Sequence, residues 1–355
     1  CNKKNLVIMR VLAFRKRLSI DILKGVAACL VVLGHIVTAK EEYHWLYNFI
    51  YSFHMPLFMF LAGCTAVISY RNRAHGGMKY LAKRFVNIIL PYLVWAVCLS
   101  LAGSRPIGNV DWDDVMTRTF ITNRMFWFLP TLYGLLAGYV CYCWIRKFIW
   151  SLREWEVSDE KAATGINFVS CVCVTGTFVL LMFFTKYQVF RDIVGFTIPF
   201  FAAVMYMELK WVYKLFHRYM ALVAALIVFA LLIGRFDFDH VSVATSLLRM
   251  VLGMCAVVIL LQLSRHLRVS GRICRLFVIY GQNSLLIYIL HEWVLRYSGL
   301  IGIHDFGIVG NLIWYCAVSI LVCGVCSVFS KGLLHVPVIR VLFLGKMGGG
   351  HAKKE

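Results

Sequence analysis

The chain has 355 residues, 61% of them hydrophobic and 15% charged, with a mean hydropathy of +0.76. A soluble domain carries about 25% charged residues, so a single water-facing globule is excluded, as is a soluble enzyme held by one membrane anchor. The formal net charge of +20, from 37 Lys and Arg against 17 Asp and Glu, is what the cytoplasmic loops of a polytopic protein accumulate, and in that setting it does not point to nucleic acid.

Apolar runs between charge clusters predict helices over 20–39, 48–70, 86–102, 125–145, 163–184, 193–209, 219–234, 242–263, 276–295 and 308–330, each near the roughly 20 residues that cross a bilayer. The expected fold class is an all-α polytopic transmembrane helix bundle of about ten spans, with both termini cytoplasmic. Charge sorting supports the count. Segments 1–19, 71–85, 146–162, 210–218, 264–275 and the stretch after 330 carry 27 of the Lys and Arg, while the alternate connections carry eight. The positive-inside bias assigns the richer set to the cytoplasm. The chain then divides into a basic cytoplasmic segment over 1–19, one membrane domain over 20–330, and a cytoplasmic tail over 331–355 that is interfacial around Pro337 and flexible in GGGHAKKE.

The basic stretch before Ile20 resembles the start of a signal peptide, but the following run holds Asp21, Lys24 and His35 and no small-residue cleavage site. It reads as a retained first span. Most of the thirteen cysteines sit in apolar runs, where Cys behaves as a small hydrophobe. Cys323 and Cys326 form a CxxC without a second pair or a His at metal spacing, so no metal site is expected. The outer connection 103–124 carries Asp111, Asp113 and Asp114, which can face solvent or can bind a cation or a sugar hydroxyl.

A charged group at the centre of a membrane helix costs about 2.5–3.5 kcal/mol, so ionisable residues inside spans are candidates for function. They are Asp21, Lys24, His35, His54, Arg249, His291 and Glu292. With the first and ninth spans running outward and the second inward, His35, His54, His291 and Glu292 fall at one depth near the outer surface. Imidazole exchanges protons near neutral pH, so the three histidines are the candidate catalytic residues. Lys24 and His35 are eleven residues apart, which is three helical turns and about 17 Å. They share a face at opposite depths, a cation for an anionic cytosolic ligand and a base for an external acceptor. Lys24 can instead snorkel and pair with Asp21 three residues earlier. Arg249 has no sequence-local partner.

Five blocks carry a resemblance: LSIDILKGVAACLVVLGH (18–35), NFIYSFHMPLFMFLAG (48–63), KRFVNIILPYLVW (83–95), FWFLPTLYG (126–134) and GQNSLLIYILHEW (281–293). In this order the sequence resembles the acyltransferase-3 family of polytopic membrane acyltransferases, in its fucose 4-O-acetylase-like branch. The resemblance implies an integral protein of the inner (plasma) membrane that moves an acyl group, usually acetyl, from cytosolic acyl-CoA to a hydroxyl of a sugar or glycan, with no bound cofactor. The family shows Arg, ten residues, then His on the first helix; here Lys24 stands in the first place, a point charge without the bidentate fork. The family's Arg-x-x-Arg at the third helix is reduced here to Arg84 with Asn87. His35, His54 and His291 keep the family pattern.

The reading places donor phosphates among Arg71, Arg73, Lys79, Lys83 and Arg84, and the pantetheine arm past Lys24 and Asp21. His35 acts as general base or acyl carrier. Arg249, Tyr288 and Glu292 are expected to contact substrate, and Trp127 can stack on a sugar or belong to an aromatic interfacial belt. The rival is a transporter or flippase of a glycan intermediate or lipid-linked sugar using the same polar cavity. The topology is testable in a Cys-free background. Lys40→Cys and Asp113→Cys should react with an impermeant thiol reagent on intact cells, and Arg73→Cys and Arg153→Cys only after the membrane is opened; labelling at position 73 from outside reverses the assignment.

Overall fold

The computed structural model describes residues 3–38, 40–71, 76–103, 127–152, 164–173, 176, 188–240, 242–266, 271–298 and 306–346. Among the described residues there is helix and no strand. In chain order the helices are α1 (Lys3–Val37), α2 (His44–Arg71), α3 (Gly77–Arg84), α4 (Leu90–Gly103) and α5 (Phe128–Leu152). They continue with α6 (Thr164–Cys173), α7 (Gln188–Glu208), α8 (Lys210–Phe216), α9 (Tyr219–Ile233), α10 (Val243–Ser264), α11 (Arg272–Gln282), α12 (Ser284–Ser298), α13 (Gly307–Leu333) and α14 (Pro337–Leu344). A π-helical turn, Phe85–Ile89, joins α3 to α4.

Among the described residues, six segments are long and apolar enough to cross a membrane: Leu18–Val37, Glu41–Arg71, Gly77–Cys98, Phe128–Ile149, Ala244–Ser264 and Gly307–Leu333. Two bent pairs raise the number to eight if each is one span. They are α8 with α9, bent by 58°, and α11 with the Ser284–Arg296 part of α12, bent by 87°. The segment expected as the helix 276–295 is therefore broken into two helices rather than continuous. The break falls at Asn283, whose side-chain amide donates to the Ile279 carbonyl at 2.9 Å and so ends α11, while its Oδ1 accepts from Ser330 on α13 at 2.9 Å. The expected spans 163–184 and 193–209 meet shorter apolar helices, Thr164–Cys173 and Phe196–Glu208. Much of 174–187, the stretch 104–126 with its three aspartates, Arg73 and the GGGHAKKE tail lie outside the described residues.

The organising element is α1, which packs on α2, α11, α12 and α13. Its crossing with α11 is closer than side chains permit. A Cβ on Gly25 would sit 2.0 Å from the Phe277 carbonyl oxygen, and one on Gly281 would sit 1.9 Å from that of Asp21. Small residues let backbones approach in this way where lipid supplies no hydrophobic drive between helices. α2 packs along α7 and α10 and contains Pro56, which gives no N–H to the Ser52 carbonyl and opens the helix locally.

Side-chain contacts sort the helix ends into two faces. At one, Tyr43 donates to the Ile308 carbonyl at 3.1 Å, and Asn48 accepts from the Phe238 N–H at 3.0 Å. At the other, Glu208 pairs with Arg71 and Arg146, and Gln262 donates to the carbonyls of Phe216 and Arg218 at 2.9 and 3.0 Å. On this second face α14, expected as an interfacial tail, docks on the third crossing. Trp95 donates to the Phe343 carbonyl at 3.1 Å. Gly345, at φ +62°, lies against the Asn87 backbone so closely that a Cβ there would meet the Asn87 Cα at 2.5 Å. The Asn87 amide, turned to satisfy both acceptors, donates to Lys83 O at 3.0 Å and Gly345 O at 2.7 Å.

Gly281→Ala should force α1 and α11 apart and cost about 2 kcal/mol or more, the scale of overpacking a tight contact. Gly332→Ala, with nothing within 4 Å of the added methyl, should leave the protein unchanged. Thermal stability of the two detergent-solubilised variants, followed by size-exclusion chromatography, checks the pair.

Candidate functional site

Seven of the ten candidate residues line one cavity of about 140 Å³: His35, His54, Trp127, Arg249, Tyr288, His291 and Glu292. Val31, Tyr51, Met55 and Phe238 complete the lining. Helical spacing explains the convergence. Val31 and His35 are i, i+4 on α1; Tyr51, His54 and Met55 are i, i+3, i+4 on α2; Tyr288, His291 and Glu292 repeat that spacing on α12, and residues three and four apart share a face.

The histidines differ in how they are held. His54 and His291 are each 4% exposed. The Nδ1 of His54 lies 2.7 Å from the Ile50 carbonyl and that of His291 lies 3.0 Å from the Ile287 carbonyl. A carbonyl only accepts, so in both rings Nδ1 carries the proton and donates it, leaving Nε2 with its lone pair. His291 Nε2 is buried and has no hydrogen-bond partner among the described residues. His35 is solvent-accessible, and its ring stands 4.8 Å from that of His291, tilted by 59°. The Tyr51 ring meets His54 edge-on at 4.7 Å. The cavity thus offers two anchored imidazoles and one that faces the opening.

Charge of both signs surrounds them. The Arg249 Nε–H donates to the Tyr51 carbonyl at 3.0 Å, next to the Ser52 carbonyl, to which Pro56 has no N–H to give. Its guanidinium lies between the Phe196 and Phe238 rings, 5.4 and 5.2 Å from their centroids, a placement that stabilises a cation away from water. Glu292 is one-third exposed and lies 3.6 Å from Arg296. Trp127 stacks on Phe196 at 5.5 Å.

Lys24, Asp21 and Arg84 stand apart from the cavity. Lys24 Nζ donates to Thr65 Oγ1 of α2 at 2.6 Å, whereas the alternative reading pairs it with Asp21. The Arg84 guanidinium donates to Ser69 Oγ and lies 5.0 Å from the Tyr80 ring centroid. Thr65 and Ser69 are i, i+4, so both cations come to one face of α2, toward the end opposite the histidines. Asp21 contributes its backbone to the Gly281 crossing.

Sequence reasoning misses a buried carboxylate. The Glu208 side chain is 2% exposed and is shared by Arg146, by Arg71 at 3.6 Å and by the Tyr142 hydroxyl at 3.0 Å. It sits at the edge of a short span, and its arginine partners read in sequence as sorted loop charge; an acidic residue bordering an apolar run is the available signal. Tyr51 and Phe238 escape notice because aromatic residues are common in every span.

The family described as an acyltransferase domain, acyltransferase-3, matches residues 17–331, a segment that contains every residue of the cavity. The nodulation protein NolL of Sinorhizobium fredii (strain NBRC 101917 / NGR234) is 30% identical over 97 residues, 25% of this chain and 26% of that protein, so the match spans about a quarter of the relative's length. No solved structure matches the chain. With the family match running from the start of the first crossing into the last turn of α13, the chain belongs to the acyltransferase-3 family.

Proposed function

We propose that this protein transfers an acyl group, acetyl first among them, from cytosolic acyl-CoA to a hydroxyl of a sugar or glycan on the outer side of the plasma membrane, crossed about ten times with both termini in the cytoplasm. The observation that carries this reading is the meeting of His35, His54 and His291, from three helices, in one cavity of an acyltransferase-3 chain. The five sequence blocks, the fucose 4-O-acetylase-like pattern among them, support a carbohydrate acceptor.

In this reading the acceptor hydroxyl enters beside His35, the accessible imidazole. His35 takes the hydroxyl proton as the oxygen attacks the thioester carbonyl. The C–S bond then breaks, coenzyme A leaves as the thiolate and takes up the proton, and the acyl group remains on the acceptor as an ester. His291 orients His35 through its ring contact, Glu292 steadies the imidazolium, and Arg249 faces the negative charge that develops on the carbonyl oxygen. The same His35 nitrogen can alternatively carry the acyl group before transfer; acid-quenched protein incubated with radiolabelled acetyl-CoA distinguishes the two. At the other end Lys24 and Arg84, with the basic residues Arg71, Lys79 and Lys83, hold the donor's phosphates and carbonyls.

Mass spectrometry of surface glycans from cells with and without the protein should show a difference of one acyl group. His35→Ala should lower acyl transfer by about 10²–10⁴-fold, the scale of general acid–base catalysis, without loss of inserted protein. His54→Ala and His291→Ala should lose less. Near-normal transfer by the His35 variant overturns the catalytic assignment.

Lys24→Arg should be tolerated, since it restores the family's usual residue and keeps a donor toward Thr65. Lys24→Ala should raise the KM for acyl-CoA while leaving the acceptor KM alone. An unchanged donor KM in the Ala variant removes Lys24 from the donor site.

A further inference from the structure

Phe238 and Trp127 line the cavity from outside the regular helices, Phe238 from the connection between α9 and α10. That connection is strapped to the start of α2 residue by residue. The Phe238 N–H donates to Asn48 Oδ1 at 3.0 Å. This fixes the Asn48 amide, whose Nδ2 then donates to His44 Nε2 at 3.0 Å. Asp237 lies 3.8 Å from His44 and accepts from His240 Nδ1 at 2.7 Å and from the Asp239 N–H at 3.1 Å. The His240 hydrogen bond, then that of Asp239, holds the Asp237 carboxyl below its usual pKa, so it stays an acceptor at neutral pH. Beyond the strap, Thr245 Oγ1 donates to the His240 carbonyl at 2.8 Å, and Ser242 caps α10 by accepting from the Thr245 N–H at 3.1 Å. Phe236, 5% exposed, anchors the other side.

The strap delivers the Phe238 ring to a set position. It stands 4.6 Å from the Tyr51 ring and 5.6 Å from Tyr47, with Arg249 5.2 Å from its centroid. Helices fix the other walls from within the bundle. A connection at the helix ends forms the mouth, where a substrate arriving from that side is first met. An aromatic beside a guanidinium suits a pyranose, whose C–H face is apolar and whose rim is hydroxylated.

We propose that Phe238 is a specificity-determining residue for the acceptor, seating the apolar face of its sugar ring, and that Asn48 is the positioning residue that holds Phe238 there. This rests on the acyltransferase reading for the identity of the acceptor, but not for the existence of a glycoside site.

The test measures binding apart from transfer. Purified protein in nanodiscs is titrated with radiolabelled methyl glycosides (fucoside, galactoside, glucoside) by equilibrium dialysis, and acetyl-CoA consumption is followed separately. Phe238→Ala should weaken glycoside binding about tenfold, the scale of one aromatic contact, and raise acceptor KM by the same factor with donor KM unchanged; Phe238→Tyr should bind as the wild type does. Asn48→Ala should reproduce the loss, and Asn48→Asp, which keeps an oxygen for the Phe238 N–H, should rescue it. Binding unaffected by Phe238→Ala overturns the proposal, as does the absence of saturable glycoside binding by the wild type or a failure of Asn48→Asp to rescue. If the wild type binds a glycoside through Phe238 but transfers nothing, the acyltransferase reading fails and this one stands.

Discussion

A polar group inside hydrocarbon must be paired within the protein, at a penalty of several kcal/mol if it is not, and that requirement determines how each functional side chain is held. His54 and His291 meet it by giving their Nδ1 protons to carbonyls one turn back. Arg249 meets it on the Tyr51 carbonyl, Lys24 on Thr65, and Glu208 on two arginines and a tyrosine. The same bonds that make burial tolerable fix chemical state. A ring whose Nδ1 proton is committed to a carbonyl has one nitrogen left, and it is a base.

The antiparallel seam of α1 and α2 carries this to both ends of the cavity axis. Lys24 meets Thr65, and His35 shares its cavity with His54. Each pair is one step of eleven residues from the other, in opposite chain directions, so the two contacts belong to one register. Three turns of each helix, about 17 Å, separate them. Any shift of α1 along α2 would move the cation and the imidazole together, and the glycine crossing at Gly25 and Gly281 resists such a shift by locking α1 to α11 at the level of Asp21.

The helical class and most crossings are legible in the sequence because long apolar runs between charges leave little choice of structure in a bilayer. The cavity is legible for a second reason: ionisable residues are so expensive in spans that few are present, and five of the seven, His35, His54, Arg249, His291 and Glu292, gather in one place. Geometry that depends on backbone approach is not legible. Nothing in the apolar run 276–295 announces a bend of 87°, because it arises from an Asn amide bonding its own helix and a serine 47 residues away. Phe238 is invisible for the opposite reason, being an ordinary aromatic whose position comes from hydrogen bonds to a distant helix. The partner of Lys24 is not legible either, because spacing of three can offer only Asp21, whereas the helix–helix seam offers a hydroxyl at 2.6 Å.

The departures from the family's basic pattern have a common setting. Asn87 stands in the π-helical turn, where its amide bonds Lys83 and Gly345 and its backbone is covered by Gly345. A longer guanidinium there would have to leave this contact or displace the chain after α14. The turn inserts one extra residue into the helix and rotates α4 relative to α3. Arg84, just before the turn, is unaffected and bonds Ser69 one turn from the Thr65 that holds Lys24. In the proposed reaction the donor end therefore relies on one Lys and one Arg brought together by α2, with the C-terminal helix occupying the place of the second Arg. A point charge and a single fork hold a phosphate with less directional constraint than two forks. Such a donor end would recognise acyl-CoA more by charge and reach than by fixed geometry, leaving discrimination to the cavity at the other end of the seam.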